Sequence, residues 1–294
     1  VKMIIVQILI NGLLLGGFYA VIGVGFSLIW GVTNIINLAH GAMALLGAYI
    51  TFFLFQEYGI DPFLSLPFSF LCLFIFGYIL QRFLLNLVVR AQIFMLLILT
   101  FGIEIFLVNF MTTFFSADFR SITPEYAGTS FVIGDIVIPY IRLAVFAICI
   151  FVTFLLSLFL NKTWHGKAIK ATSLDLDAAM MVGISPAKIY ALTFAIASGI
   201  AGVAGSLLPL TQAFSPSIAG SLTLRAFTVS ILGGLGRVEG ALIGGILLGI
   251  AETLSSYFIG ESYKNAITLG IMVLVLVIKP TGLLGKKYFA EVKH

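Results

Sequence analysis

Three ionisable side chains, Glu104, Arg225 and Glu252, stand deepest in apolar sequence, and two carboxylates of this kind could in principle share acid–base work. No candidate nucleophile or water-activating metal set accompanies them in the sequence, so a catalytic pair is disfavoured. A charge inside a membrane is either functional or paired, and the expectation is an ion pair between Arg225 and one of the two glutamates. A second polar set, Asn34, Asn37 and His40, recurs at every third position of Thr33-Asn-Ile-Ile-Asn-Leu-Ala-His-Gly41. In lipid such groups need partners or water. They either satisfy the backbone of an unwound segment or touch a substrate directly. No cysteine, histidine or carboxylate cluster lies at ligand spacing from His40, so a metal site is not indicated.

The third set lies in 161–188, the longest polar break in the chain. Ser173 is suited to cap a helix there, with Asp175 and Asp177 in or near a first turn that favours negative charge. Gly183 suits the left-handed residue that closes such a helix, and Ser185-Pro186 starts the next one. The spacing predicts a short rigid helix over 174–183, carrying Leu174, Leu176, Ala178, Ala179, Met180, Met181 and Val182. A small apolar, methionine-bearing helix on an aqueous face reads as a docking surface, with the two alanines allowing close approach.

The elements that must position these residues are set by composition. Of 294 residues, 61% are hydrophobic and 10% charged, against about 25% charged in ordinary soluble domains. With a mean hydropathy of +1.16, the chain is predicted to be an all-α polytopic membrane protein. The pI near 9.0 then reports topology and gives no reason to expect nucleic acid. Cys72 and Cys149 fall in apolar runs and read as packing residues. The first apolar run lacks a small-residue cleavage site and reads as a retained span.

Candidate spans are 4–29, 41–56, 63–85, 93–115, 141–160, 189–211, 222–236, 240–259 and 265–279. The seventh is short and glycine-dense, so it and 31–40 are candidates for broken or re-entrant segments, and eight or nine crossings are expected. Arg82 and Arg90, then Lys162, Lys167, Lys170 and Lys188, then Lys279, Lys286, Lys287 and Lys293 fall on loops that can share one side. The positive-inside rule makes that side cytoplasmic, with the C-terminus on it. Glu57, Asp61, Asp118, Glu125, Asp135 and Glu261 fall on the other side, as does loop 116–140. Nine crossings would put the N-terminus outside. The block His40–Gly47 resembles Glu239–Ile246, which suggests an internal repeat with broken segments at a transport path. Glycines spaced by three to five residues, as in 199–205 and 240–249, suit closely packed membrane helices. A single membrane domain over 1–294 is expected, with 161–188 as a cytoplasmic coupling loop.

Five stretches occur in order: 31–41, Asp175–Ile184, Tyr190–Phe194, Ile231–Gly236 and Pro280–Gly285. Together they resemble the membrane-spanning permease subunit of ABC importers for branched-chain amino acids, the first of the two permeases in that system. The likeness runs over about residues 5–286, nearly the whole chain. It implies a path at the interface with a homologous second permease subunit, lined here by Asn34, Asn37, His40, Gly233, Gly234 and Gly236. It also implies two cytoplasmic ATPase subunits that bind ATP and Mg, so that this chain needs no cofactor of its own. Asp175, Asp177, Ala178, Ala179, Met180 and Gly183 would make the coupling contact with an ATPase. A periplasmic or extracellular binding protein would deliver substrate, and the bacterial inner membrane would supply the lipid.

Two departures bear on substrate. Ala42 stands where many relatives have glutamate, and Arg237-Val238-Glu239 where many have Ser-Ile-Pro. Urea permeases of the same superfamily share the His-Gly block, so a urea or short-amide permease is the alternative. An intramembrane enzyme using His40, Glu104 and Glu252 is a third reading, and a passive channel a fourth. Neither has reason to keep a docking helix.

Overall fold

The computed structural model describes residues 2–88 and 93–285. In lipid a backbone must satisfy its own hydrogen bonds, and the long apolar runs accordingly form helices. The principal ones are α1 (Lys2–Thr33), α2 (His40–Tyr58), α3 (Leu66–Leu80), α4 (Ile93–Phe115) and α5 (Tyr140–Lys162). After them come α6 (Trp164–Leu174), α7 (Leu176–Met181), α8 (Pro186–Thr211), α9 (Ala219–Gly233), α10 (Val238–Phe258) and α11 (Lys264–Ile278). A π turn at Gln81–Leu85 continues α3. A hairpin of β1 (Ser130–Ile133) and β2 (Ile136–Pro139) lies between α4 and α5, with Phe131 opposite Ile138.

Among the described residues, seven helices are long and apolar enough to cross a membrane: α1, α3, α4, α5, α8, α10 and α11. Helix α2 ends in Gln56-Glu57-Tyr58 and is too polar to qualify. Helix α9 has 15 residues, about 22 Å, less than a hydrocarbon core of about 30 Å. Both are nevertheless among the most buried, and α8 is the axis, almost wholly enclosed by the other helices. At the periphery, α11 is largely exposed, with Thr268 its one buried residue.

Small residues set the closest approaches. A Cβ on Gly16 would lie 2.5 Å from Cα of Ile246, and one on Gly245 would lie 2.4 Å from the nitrogen of Ala20. Gly31 meets Gly236 in the same way, so α1 and α10 run antiparallel along their length. Any larger side chain there would push two backbones apart.

The bundle has two ends. Gln7 near the start of α1 exchanges two hydrogen bonds with Val137 of the hairpin, at 2.8 and 2.9 Å. Asp61 and Tyr126 join at this same end, and Arg120 bridges to Phe214 there. The opposite end holds α6, α7 and the turn from α9 to α10, where Arg237 donates to the carbonyl of Leu284. The first and last described segments thus lie at opposite ends. Arg82, Lys162, Lys167, Lys170, Lys188 and Lys279 fall at the α6 end, and Glu57, Asp61, Asp118, Glu125, Asp135 and Glu261 at the hairpin end. Arg120, Arg142 and Lys264 also lie at the hairpin end. Arg90, Lys286, Lys287 and Lys293 lie outside the described residues.

One sequence expectation needs correcting. The stretch 161–188 is mostly helical: α6 occupies its first half and buries Gly166, Ala168, Ile169 and Thr172. Its weak apolar pattern, one small face in an otherwise polar segment, hid it. The blocks His40–Gly47 and Glu239–Ile246 each lie at the start of a helix, but in different settings. Helix α2 starts beside Ile22, inside the bundle, whereas α10 starts at the bundle's end beside the chain's last described segment.

Candidate functional site

Helix α1 stops at Asn34, whose φ of +53° is the left-handed conformation that asparagine tolerates. The chain then turns back into the bundle. His40 Nε2 lies 3.0 Å from the carbonyl oxygen of Ile22, which can only accept, so this nitrogen carries the proton. The ring meets Phe26 edge-on, and Nδ1 has no hydrogen-bond partner among the described residues. The side-chain oxygen of Asn37 accepts from the nitrogen of Ala39 at 3.2 Å. Asn37 therefore serves the broken backbone, His40 ties the start of α2 to the middle of α1, and Asn34 is exposed.

Two threonines that sequence reasoning missed close this break. Thr223 of α9 donates to the carbonyl of Leu38 at 2.9 Å and accepts from the nitrogen of Gly41 at 2.9 Å. Thr100 of α4 donates to the carbonyl of Ile36 at 3.0 Å. The first turns of α2 and α9 consequently abut: a Cβ on Gly41 would fall 2.1 Å from the oxygen of Ala219. Two short helices starting side by side inside a bundle are what transport proteins use to present unwound backbone to a path. Threonine carries no sequence mark that separates such a clamp from ordinary packing.

Gly233, Gly234 and Gly236 lie elsewhere, at the turn from α9 to α10. With φ of +99° at Gly234 and +81° at Gly236, that turn reverses the chain tightly. The nitrogen of Leu283 donates to the oxygen of Leu232 at 2.8 Å, and that of Leu284 to Gly233 at 3.2 Å. The stretch 280–285 thus caps the carbonyl end of α9, which would otherwise be left unpaired. The glycines reach the first break only through Gly236 against Gly31.

Of the three deep charges, the structure joins two. Arg225 Nε lies 3.1 Å from Glu252 Oε1, with side-chain exposures of 12% and 0%. Glu252 also accepts from Tyr19 at 2.6 Å and from the hydroxyl of Thr268. The guanidinium stands 5.5 Å over the ring of Tyr19. Glu104 is apart from this cluster, with a carboxylate oxygen 3.6 Å from where a Cβ on Gly220 would be. Among the described residues, His40, Glu104 and Glu252 share no hydrogen bond or ion pair with one another.

At the α6 end, α7 is shorter than expected. Ser173 belongs to α6, and its hydroxyl donates to Lys170. The cap is Asp175, whose carboxylate accepts from the nitrogen of Ala178 at 3.0 Å. Gly183 does close the helix, with φ of +85°. Its nitrogen bonds to Met180 and that of Ile184 to Ala179, the paired bonds of a Schellman ending. Asp177 lies in the first turn, and Pro186 takes the first position of α8. Ala179 is 3% exposed and packs against its own chain, which corrects its expected place on a docking face. Its partner Ala178 is exposed. The outward apolar residues are Leu174, Met181 and Val182, each more than three-quarters exposed, with Met180 beside them.

With this geometry in hand, comparisons with known proteins are specific. Residues 8–276 match the family described as branched-chain amino acid transport system / permease component. The permease protein BraD of the high-affinity branched-chain amino acid transport system of Pseudomonas aeruginosa is 34% identical, covering 95% of both chains. The corresponding LivH protein of Escherichia coli is 31% identical, again over 95% of both. The LivM permease of the same Escherichia coli system is 27% identical over 90% of this chain and 67% of its own length. No solved structure matches the chain. The chain is a multi-pass membrane permease and belongs to the branched-chain amino acid transport permease family.

Proposed function

We propose that the chain is one of two permease subunits in an ABC importer for branched-chain amino acids in the bacterial inner membrane. The observation that carries the coupling half of this reading is α7, a capped helix that turns Met180 and Met181 outward at the basic end of the bundle, flanked by exposed Leu174 and Val182. The positive-inside rule makes that end, and the C-terminus, cytoplasmic. Two ATPase subunits dock there and bind ATP and Mg, while this chain binds neither. The second permease is a homologue of the LivM kind, and a soluble binding protein delivers substrate at the hairpin end. The names of the relatives support the amino-acid substrate, and none of them favours urea or an amide.

The path is read from the abutting starts of α2 and α9, with Asn34, Asn37, His40 and the turn Gly233–Gly236 placing its backbone. Uptake of radiolabelled leucine and urea, in a strain whose other importers are deleted, tests the reading. Leucine uptake that needs this chain and an intact ATPase is expected. Urea uptake without leucine uptake, or leucine flux that persists without ATP, would overturn it.

A further inference from the structure

A cavity of about 250 Å³ opens at the hairpin end between α1, α9 and α11, and the break and ion-pair roles already described do not use it. Its lining is mostly polar, with Tyr19, Ser221, Arg225, Glu261, Lys264 and Asn265 contributing the groups that matter. Arg225 forms the floor. Its Nε is committed to Glu252, but Nη1 reaches Ser221 only at 3.5 Å and Nη2 reaches Asn265 at 3.3 Å. A guanidinium has five N–H groups, so these contacts leave donors free on the side where its 12% exposure faces the cavity. Glu252 cannot compete for them, being saturated by Tyr19, Thr268 and Nε. At the rim Lys264 and Glu261 pair with each other, so both signs of charge stand within one small chamber.

We infer that this cavity is an outer binding site for a free α-amino acid. The substrate carboxylate lies on the open edge of the Arg225 fork, and its ammonium lies on Glu261, displacing Lys264. The planar fork suits a carboxylate in two-point contact. A Glu252 already fully bonded keeps the arginine charged and aimed whether or not the site is filled. Ala213 and Ile218 supply a small apolar wall beside these groups for a hydrocarbon side chain. This inference rests on the importer reading and adds to it the groups that recognise the substrate's two charges.

The test is protection from labelling in membranes that carry the assembled importer without its binding protein. Ser262→Cys at the rim, with Cys72→Ser and Cys149→Ser to remove other thiols, gives the reporter for a maleimide. Leucine is expected to slow labelling, while leucinamide and 4-methylpentanoate, each lacking one charge, need at least about tenfold higher concentration for the same effect. Glu261→Gln, at an exposed position where folding is not at stake, is expected to raise the half-protecting leucine concentration by about tenfold. If leucine is transported by the intact importer yet does not protect, the site is overturned and the importer reading stands. Equal protection by leucinamide also overturns it. Absence of leucine uptake in the parent importer removes the importer reading and this site together.

Discussion

Arg225 and Glu252, 27 residues apart on neighbouring helices, meet at 3.1 Å beneath the ring of Tyr19. Every oxygen of Glu252 is engaged, by a guanidinium, a phenol and a threonine hydroxyl. Such a pair ties the middle of α9 to α10 and, through Thr268, to α11. Its net stabilisation is modest, because both ions gave up their water on burial.

Breaking it is another matter. Glu252→Leu strands a mostly buried guanidinium and the Tyr19 hydroxyl, and is expected to cost about 3–5 kcal/mol of stability. The double variant Arg225→Met with Glu252→Leu leaves no charge uncompensated and is expected to recover most of that loss. Thermal unfolding of the detergent-purified protein measures both. A double variant as unstable as the single one would show that the pair does more than compensate its own burial.

The sequence foreshadowed this pair because ionisable residues are rare enough in lipid that few partners exist to choose from. The long spans, the Gly183 ending and the Pro186 start were legible for a similar reason: each rests on local physics, length or a backbone angle. What was not legible depended on distance or on competition. Ser173 and Asp175 are both good caps, and only the continuation of α6 through Ser173 decides between them. The grip of 280–285 on Gly233 joins segments with no shared pattern. Ala179 faces inward because a six-residue helix has only one side to turn to its own chain.

Thr223 gives a second prediction. Its hydroxyl holds both Leu38 and Gly41. Thr223→Val keeps the shape and leaves a buried carbonyl and a buried N–H without that partner, at an expected cost of about 1–3 kcal/mol for each group. Thr223→Ser keeps the hydroxyl and is expected to stay near the parent in melting temperature. Equal stability of the valine variant would mean that the break is held some other way.

The glycines separate into two kinds, and one pair of variants tests the distinction. A Cβ on Gly205 would fall 1.6 Å from the oxygen of Ala44, whereas one on Gly102 would meet nothing within 4 Å. Gly205→Ala must force α8 from α2, beyond the roughly 1–3 kcal/mol of ordinary overpacking. Loss of monodisperse protein on size-exclusion chromatography is expected for it. Gly102→Ala should behave as the parent; similar yields for both would contradict the packing described.

At the hairpin end, Tyr126 donates to Asp61 at 2.8 Å and stacks on Phe63. Partial burial, and then the hydrogen bond and charge of Asp61, hold the phenol above its ordinary range. The folded protein thus favours the neutral form. The resulting stability is fully present below the unfolded value of about 10 and is lost as the pH rises through the folded value. Melting temperature followed upward through that range should fall faster for the parent than for Tyr126→Phe. Parallel curves would deny the linkage.

The last prediction concerns Met181, which is 84% exposed at the tip of α7. Because its side chain touches little of its own chain, Met181→Glu should leave expression and melting temperature unchanged. The backbone that presents it is held at both ends, by Asp175 and by the Gly183 closure, so the helix cannot swing the new charge aside. If an ATPase cleft receives this face, a carboxylate is carried into an apolar contact without a partner. A penalty of about 1.4 kcal/mol is already tenfold in association. Co-purification of the ATPase, or leucine uptake at equal complex abundance, is therefore expected to fall at least about tenfold. Ala179→Glu is the contrasting variant: buried against its own chain, it should lower the melting temperature before any question of docking arises. Wild-type uptake by Met181→Glu with the complex intact would mean that α7 does not carry movement between the ATPase and the membrane helices.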